Sequence, residues 1–477
     1  MLPYPHWLNA GDTSWQLTAA TLVGLMSLPG LAVLYGGLVQ RKWAVNTMIM
    51  AFTGFCLVLI VWVLWVFKMG FGEPWIGTFV GRPGAVLGAL GEQGRASVPL
   101  VGGGPSSTFP GFHFSQSALV YFQFVFAAIT PLLFLGSVIG RISFKVWLIF
   151  VPLWSTFAYA VNAFLLWGGG WWAAHGALDF SGGYVIHLAA GVSGFVAAAV
   201  IGPRLKRDRE RGVPNNLLLV SVGAGILWLG WNGFNGGDPY FAGADAAAAV
   251  LNTNLSTAVA MMTWIVIDML LSKEKKPTLL GGVNGMIVGL VGITPAAGYV
   301  NGFGAILIGL IGSAIVWVAW NYLSKVPPFS KVDDALGVVY THGIAGLAGG
   351  LMVGLFADPH MIVYLGLGKN SSITTAGLFY GHPRQLLIQL GAAVTIIVWD
   401  AAVTFVLLRV IGLFMKLRLP DEALETGDVA VHEEEVYPSE ALTRVGAGVG
   451  AGVGAGAGAP SADAPAAVPE KVPSESG

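Results

Sequence analysis

The chain of 477 residues is short of charge and almost empty of cysteine. Only 10% of it is Asp, Glu, Lys or Arg, where an ordinary soluble protein carries about 25%, so a water-soluble globular chain is excluded. The single cysteine, Cys56, lies in an apolar run, which excludes an intrachain disulfide and a thiolate metal cluster. Met1 to Trp15 lacks a basic region followed by a short apolar core and a small-residue cleavage site, so no cleavable signal peptide is expected. What remains is apolar: 55% hydrophobic residues, 68 glycines and 17 tryptophans, with a mean hydropathy of +0.72. Glycine is enriched in membrane helices and tryptophan at membrane interfaces. The chain reads as a polytopic membrane protein.

A net charge of -1 conceals a division. Residues 1–419 hold 22 Lys and Arg against 14 Asp and Glu, a net of +8, and residues 420–477 hold 2 against 11, a net of -9. The body contains eleven stretches of the length a spanning helix needs, about 20 mostly apolar residues. They fall near 15–39, 44–67, 116–139, 146–167, 183–202, 216–235, 247–271, 279–298, 302–324, 336–356 and 386–415, the eighth being interrupted by Gly and Pro295. The expected fold is all-α, a transmembrane domain over 1–419 with eleven transmembrane helices. Basic residues follow helices 1, 3, 5, 7 and 9, including Arg41, Lys42, Arg141 and the run from Arg204 to Arg211, whereas the loops after helices 4, 6 and 8 have none. Positive-inside places the N-terminus outside and the C-terminus in the cytoplasm. Residues 420–444 form an acidic cytoplasmic tail, for which a solvated linker and a segment that folds on a partner are both open readings. Residues 445–477 read as a disordered Gly/Ala-rich tract, with too few large side chains to bury.

Helices 5 and 10 share a pattern. Asp179 and Asp334 each precede a histidine, His187 and His342, by eight residues, and glycines follow that histidine at four and seven, Gly191 with Gly194 and Gly346 with Gly349. Five helices per unit is an odd number, so the second unit enters the membrane from the opposite side, and the body is an inverted 5+5 repeat plus one additional helix. In such repeats the substrate site is expected near the midplane, where the halves meet. An intramembrane histidine is a functional candidate, and two neutral imidazoles can hydrogen-bond to one another, relay a proton or hold a small polar solute. The bland reading, packing residues between small-residue faces, is weakened by their matched repeat positions. The two glycines permit close helix approach or leave room for a pore. Asp179 and Asp334 suit helix N-termini, where a carboxylate caps free amides, and Asp179 is the better functional candidate of the two. Asp400 sits midway along helix 11 with no obvious basic partner, and protonation, pairing and a cavity all stay open.

Aromatic residues cluster toward the external side. Trp167 with Phe122 can form a vestibule for a small cation, and Phe126, one turn deeper, can gate it. From spacing alone an interfacial aromatic belt accounts for them better. The sequence Gly191-Val-Ser193-Gly194 also fits the GxSG of rhomboid proteases, with a Ser193/His342 dyad conceivable, but Ala348 stands at the Ser193 position of the second repeat, as packing predicts.

The segment Asp179-Phe-Ser-Gly-Gly-Tyr-Val-Ile-His187 resembles the ammonium transporter signature of the Amt/Mep/Rh superfamily. So do the Trp167 to Asp179 segment, Gly230-Trp-Asn-Gly-Phe234-Asn-Gly-Gly, Gly292-Ile-Thr294-Pro-Ala-Ala-Gly-Tyr299 and the His342 segment. The likeness runs from about Asn9 to His432 and looks closest to the Mep-like subgroup that includes the plant type-2 transporters. It implies a multi-pass protein of the cell membrane, a homotrimer with one pore per subunit, and ammonium or methylammonium as solute. By motif position, Phe122 and Trp167 line the external ammonium site, Phe126 and Phe234 form the gate, and His187 and His342 are the twin pore histidines. Asp179 supports the site. Where many relatives place a serine this chain has Asp238, whose carboxylate either attracts ammonium or caps the neighbouring turn and faces solvent. The resemblance implies no enzyme activity, cofactor, metal or nucleic acid. It leaves open a sensor role through the tail and suggests a PII-type regulatory protein docking on the cytoplasmic face.

Overall fold

The structure, a computed structural model, describes residues 5–99, 111–210, 212–364, 372–373 and 375–438. The Gly/Ala-rich tract 445–477 and the end of the acidic tail, 439–444, lie outside the described residues. The chain divides into two units, Met1–Val436 and Tyr437–Gly477. The second is described at 437 and 438 only, and the architecture below is that of the first.

Among the described residues ten helices are long and apolar enough to cross a membrane: α1 (Ala10–Leu38), α2 (Arg41–Phe71), α3 (Gln116–Val138), α4 (Phe144–Ala174), α5 (Gly183–Ile201), α6 (Leu217–Gly237), α7 (Ala244–Leu271), α9 (Gly302–Lys325), α10 (Val339–Phe356) and α11 (Arg384–Phe414). Between α7 and α9 lies α8 (Leu279–Ile293), apolar but only 15 residues long. At 1.5 Å per residue it extends about 22 Å, less than the hydrocarbon thickness of about 30 Å. At the eleven expected positions the described residues thus hold ten long apolar helices and one short one. The turn that ends α8 begins at Thr294, next to Pro295.

Charge-free, glycine-rich helices associate in lipid through close backbone approach rather than through hydrophobic burial. The crossing of α5 and α10 shows it. A Cβ on Gly191 would collide with the backbone of Gly343, and one on Gly346 would lie 2.6 Å from the carbonyl oxygen of Gly183 and 3.0 Å from the amide nitrogen of Leu188. Gly343 and Leu188 each directly follow a repeat histidine, so the two contacts are counterparts. The second glycines pair likewise with equivalent helices of the two halves, Gly194 against Ser137 at the end of α3 and Gly349 against Gly292 at the end of α8. Of the two open readings for these glycines, close approach is the one observed.

The basic segments after α1, α3 and α5 gather with the acidic tail at one end of the bundle. Lys42 Nζ lies 2.9 Å from Asp208 Oδ2 and donates to the carbonyl of Leu424 at 2.7 Å. Arg141 reaches the carbonyl oxygens of Gly202 and Asp333. Arg204 chelates Asp333, with contacts of 2.7 and 3.0 Å; burial alone would raise the Asp333 carboxyl, and this guanidinium holds it below its ordinary range. The tail forms two short helices, α12 (Asp421–Thr426) and α13 (Asp428–His432). Asp428 accepts from the backbone N–H groups of Val45 and Asn46 at 2.8 and 2.9 Å, capping the start of α2, and His432 Nε2 meets Asn46 Oδ1 at 2.9 Å. The acidic segment up to Val436 thus folds on its own chain, contrary to the solvated-linker reading.

This docking carries two opposed pH terms. Burial pushes the Asp428 carboxyl up to about 6 despite the amides of Asn46 and Val45, with Glu434 adding to the rise. Docking therefore gains as pH falls through about 6 and loses that gain as pH rises through it. Burial lowers the His432 imidazole against the opposing pull of Glu434, so its contribution is present above about 6.5 and is lost as pH falls. In His432→Gln, hydrogen-exchange protection of residues 421–432 is expected to rise on acidification from pH 7 to pH 5, by about 1 kcal/mol or several-fold once solvent screening is allowed for. In Asp428→Asn it is expected to fall over the same range. Matching profiles in the two variants would contradict the assignment.

Candidate functional site

The site is built where the repeat patterns place their histidines. Asp179, just before α5, accepts from the backbone N–H groups of Gly182, Tyr184 and Val185 at 3.2, 2.9 and 3.0 Å. Asp334, just before α10, accepts from Val338 and Val339 at 3.2 and 2.9 Å. Five residues before each histidine the chain turns through a left-handed glycine, Gly182 at φ +106 and Gly337 at φ +75, a conformation other residues rarely adopt. Each histidine then lies in a wide π-helical turn, Gly183–Leu188 and Val339–Ile344, an irregularity frequent at functional sites.

The crossing of α5 and α10 faces the two imidazoles toward each other, Nδ1 to Nδ1 at 3.3 Å, both buried. The other nitrogen of His187, Nε2, is buried without a protein partner among the described residues. An imidazole pair of this kind needs one ring to donate and the other to accept, so it has a direction that a proton can reverse. Above it, Phe234 lies 6.0 Å from His187 and stacks on Phe126 at 4.3 Å between centroids, with the planes 26° apart. Phe126 continues to Phe122 at 4.9 Å and meets Trp167 edge-on at 6.3 Å. Phe122, Phe126 and Phe234 are fully buried. The result is one file, Phe122, Phe126, Phe234, His187, His342, built from α3, α5, α6 and α10. Trp167, expected beside Phe122, joins the file at Phe126, its indole N–H bonded to the carbonyl of Asp179 at 2.7 Å.

Asp238 ends α6 beside Gly237, against which Phe122 packs. It is buried, with 7% of its surface exposed, and its Oδ2 has no hydrogen-bond partner among the described residues. The solvent-facing alternative for this carboxylate is thereby corrected. Trp231 was not singled out from the sequence: it stacks on His187 at 5.3 Å with the planes 19° apart, and its indole N–H donates to Thr294 Oγ1 at 2.9 Å. Its position three residues before Phe234, hence on the same helical face, is the signal that marks it. Tyr240 was missed as well; it contacts Phe122 at 6.0 Å and accepts from Gln123 Nε2 at 2.8 Å. The conceivable Ser193/His342 dyad does not form. Ser193 Oγ accepts from Trp154 Nε1 at 3.0 Å and from Thr404 Oγ1 at 3.1 Å, and His342 is engaged with His187. Among the described residues no group of His, Cys, Asp and Glu could hold a metal ion.

Comparison with known proteins agrees in direction with this architecture. Residues 14–437 match the model of the Ammonium Transporter Family. Ammonium transporter 2 of Arabidopsis thaliana is 47% identical over 436 residues, covering 91% of this chain and 89% of that protein. Ammonium transporter 3 member 2 of Oryza sativa subsp. japonica is also 47% identical, over 441 residues and 90% of each chain. The crystal structure of Saccharomyces cerevisiae Mep2 superimposes with a TM-score of 0.75 at 28% identity, over 87% of this chain and 89% of that one. A histidine pair beneath stacked rings inside a bundle of apolar helices, matched over nine-tenths of the chain by proteins of one kind, places this multi-pass membrane protein in the ammonium transporter family.

Proposed function

We propose that ammonium is recruited at Phe122, Trp167 and Asp238, loses its proton above the stacked Phe126 and Phe234, and crosses as ammonia past His187 and His342. The observation that carries this is the histidine pair itself, held at 3.3 Å directly below two stacked rings, with one imidazole nitrogen left without a partner. Rings attract a small cation through their faces, and the Asp238 Oδ2 left without a hydrogen-bond partner among the described residues offers it an acceptor. Potassium cannot shed its charge and finds no replacement for its hydration shell in an apolar file. Protons pass over the imidazoles separately, so that transport carries current. Asp179 acts through its caps, which set the turn that presents His187.

The wider assembly belongs to the same reading. All five members of the file come from one chain, which supports one pore per subunit of a homotrimer. The meeting of Lys42 and Arg207 with the tail, at the end of the bundle that also holds Arg141 and Arg204, supports a cytoplasmic C-terminus and an outside N-terminus. That arrangement needs eleven crossings, with α8 completing its passage through the turn at Thr294 to Val300. The tail segment Pro420 to Val436, packed across the ends of α2 and α4, is the surface on which a PII-type regulator would act. Methylammonium uptake by cells lacking their own ammonium transporters tests the recruitment site. Asp238→Asn is expected to raise the half-saturating concentration about ten-fold, the equivalent of about 1.4 kcal/mol, with maximal uptake retained. An unchanged concentration dependence would remove Asp238 from the site.

A further inference from the structure

Asp400 lies midway along α11, fully buried, and is not part of the ring-and-imidazole file. Its side chain meets α4, where Asn162 Nδ2 donates to Asp400 Oδ2 at 2.8 Å. Asn162 is fully buried too. Two atoms of this pair are left over: Asp400 Oδ1 and Asn162 Oδ1 are both buried with no hydrogen-bond partner. A carboxylate offers acceptors only, and so does an amide oxygen, so an ionised Asp400 leaves two orphaned acceptors in the low-dielectric interior. No Lys, Arg or His among the described residues pairs with Asp400 to offset a charge. The nearby hydroxyl on its own helix, that of Thr404 one turn along, donates to Ser193 instead. One added proton answers both vacancies.

We infer that Asp400 is a neutral carboxylic acid whose Oδ1–H donates to Asn162 Oδ1, closing with the Nδ2–H to Oδ2 bond a two-bond acid–amide ring between α4 and α11. The bundle therefore holds a proton-binding site separate from the histidine pair, and its role is to tie the two helices without a buried charge. Removing one member of a buried pair is costly because the other is stranded, whereas replacing it by a complementary group is tolerated. This inference does not depend on the conduction scheme proposed above.

Asparagine at 400 offers the same two hydrogen bonds to Asn162 with no proton to hold. In infrared spectra of the purified full-length protein at neutral pH, wild type minus Asp400→Asn is expected to show the carbonyl stretch of a neutral carboxylic acid, shifted in deuterium oxide. Asp400→Asn is expected to keep the melting temperature and methylammonium uptake of the wild type. Asn162→Leu is expected to shift the acid band and to lower the melting temperature by several degrees. If the difference spectrum instead shows the loss of ionised carboxylate bands, the neutral-acid assignment is overturned. Loss of uptake in Asp400→Asn with the fold intact would overturn the helix-tying role, because it would show that the proton at this position is used in transport.

Discussion

Gly191→Leu is expected to yield protein that does not assemble a stable bundle. The backbone of Gly343 occupies the place a side chain at 191 would need, and at the counterpart contact Gly346 meets the carbonyl of Gly183. Flexible side chains can rotate out of a clash; two crossing backbones cannot, short of separating the helices. Overpacking in a yielding core costs about 1–3 kcal/mol, and this site does not yield, so a loss of at least about 4 kcal/mol is expected. Because α5 and α10 carry the histidines, any separation that relieved the strain would also part His187 from His342. Melting temperature and monodispersity of detergent-purified protein measure the outcome. Gly225→Leu is the control, since a Cβ there meets nothing within 4 Å on the outer face of α6, and its behaviour is expected to match the wild type. A well-folded, active Gly191→Leu protein would contradict the crossing geometry.

His187→Ala is expected to abolish most of the ammonium-driven current while leaving the fold in place. The substitution removes one half of the 3.3 Å imidazole pair and the Nε2 atom that has no protein partner, so a relay over the two rings loses its continuity. Proton transfer by a positioned side chain typically contributes a factor of 10² or more, and a fall of about a hundred-fold in current is expected from purified protein in planar membranes under a fixed ammonium gradient. The cavity left between Trp231, Phe234 and His342 is lined by rings that stay packed on each other, Trp231 with Phe234 at 5.0 Å, so the melting temperature should change far less than in Gly191→Leu. Unchanged current in His187→Ala would sink the relay.

Much of this was legible without coordinates because it is written in local spacing. Helix-length apolar stretches, the placement of basic residues and the Asp, His, Gly, Gly pattern are all properties of neighbours along the chain, and a repeated pattern marks a functional pair more firmly than either copy alone. The limits were just as specific. Pro295 and the glycines near it left the eighth helix in doubt, and it is the one that falls short of a full span. Trp231 was overlooked since its only mark in the sequence is its place three residues before Phe234 on the same helical face, and that spacing has meaning only once Phe234 is placed in the file. For Asp238 the sequence offered an ammonium-attracting carboxylate and a solvent-facing cap alike.

By itself the amino-acid sequence determined the membrane class, the helical segments, the two-fold repeat and the candidate histidines. Only the tertiary structure decided that the repeat glycines serve a backbone crossing, that Trp167 meets Phe126, that Asp400 is paired with Asn162 and that the acidic tail caps α2 through Asp428. The physical reason is distance along the chain. Hydropathy and spacing act within a few turns of one helix, whereas each of these decisions is a contact between segments far apart in sequence, set by how closely two backbones can approach and by which buried polar atom remains in need of a partner.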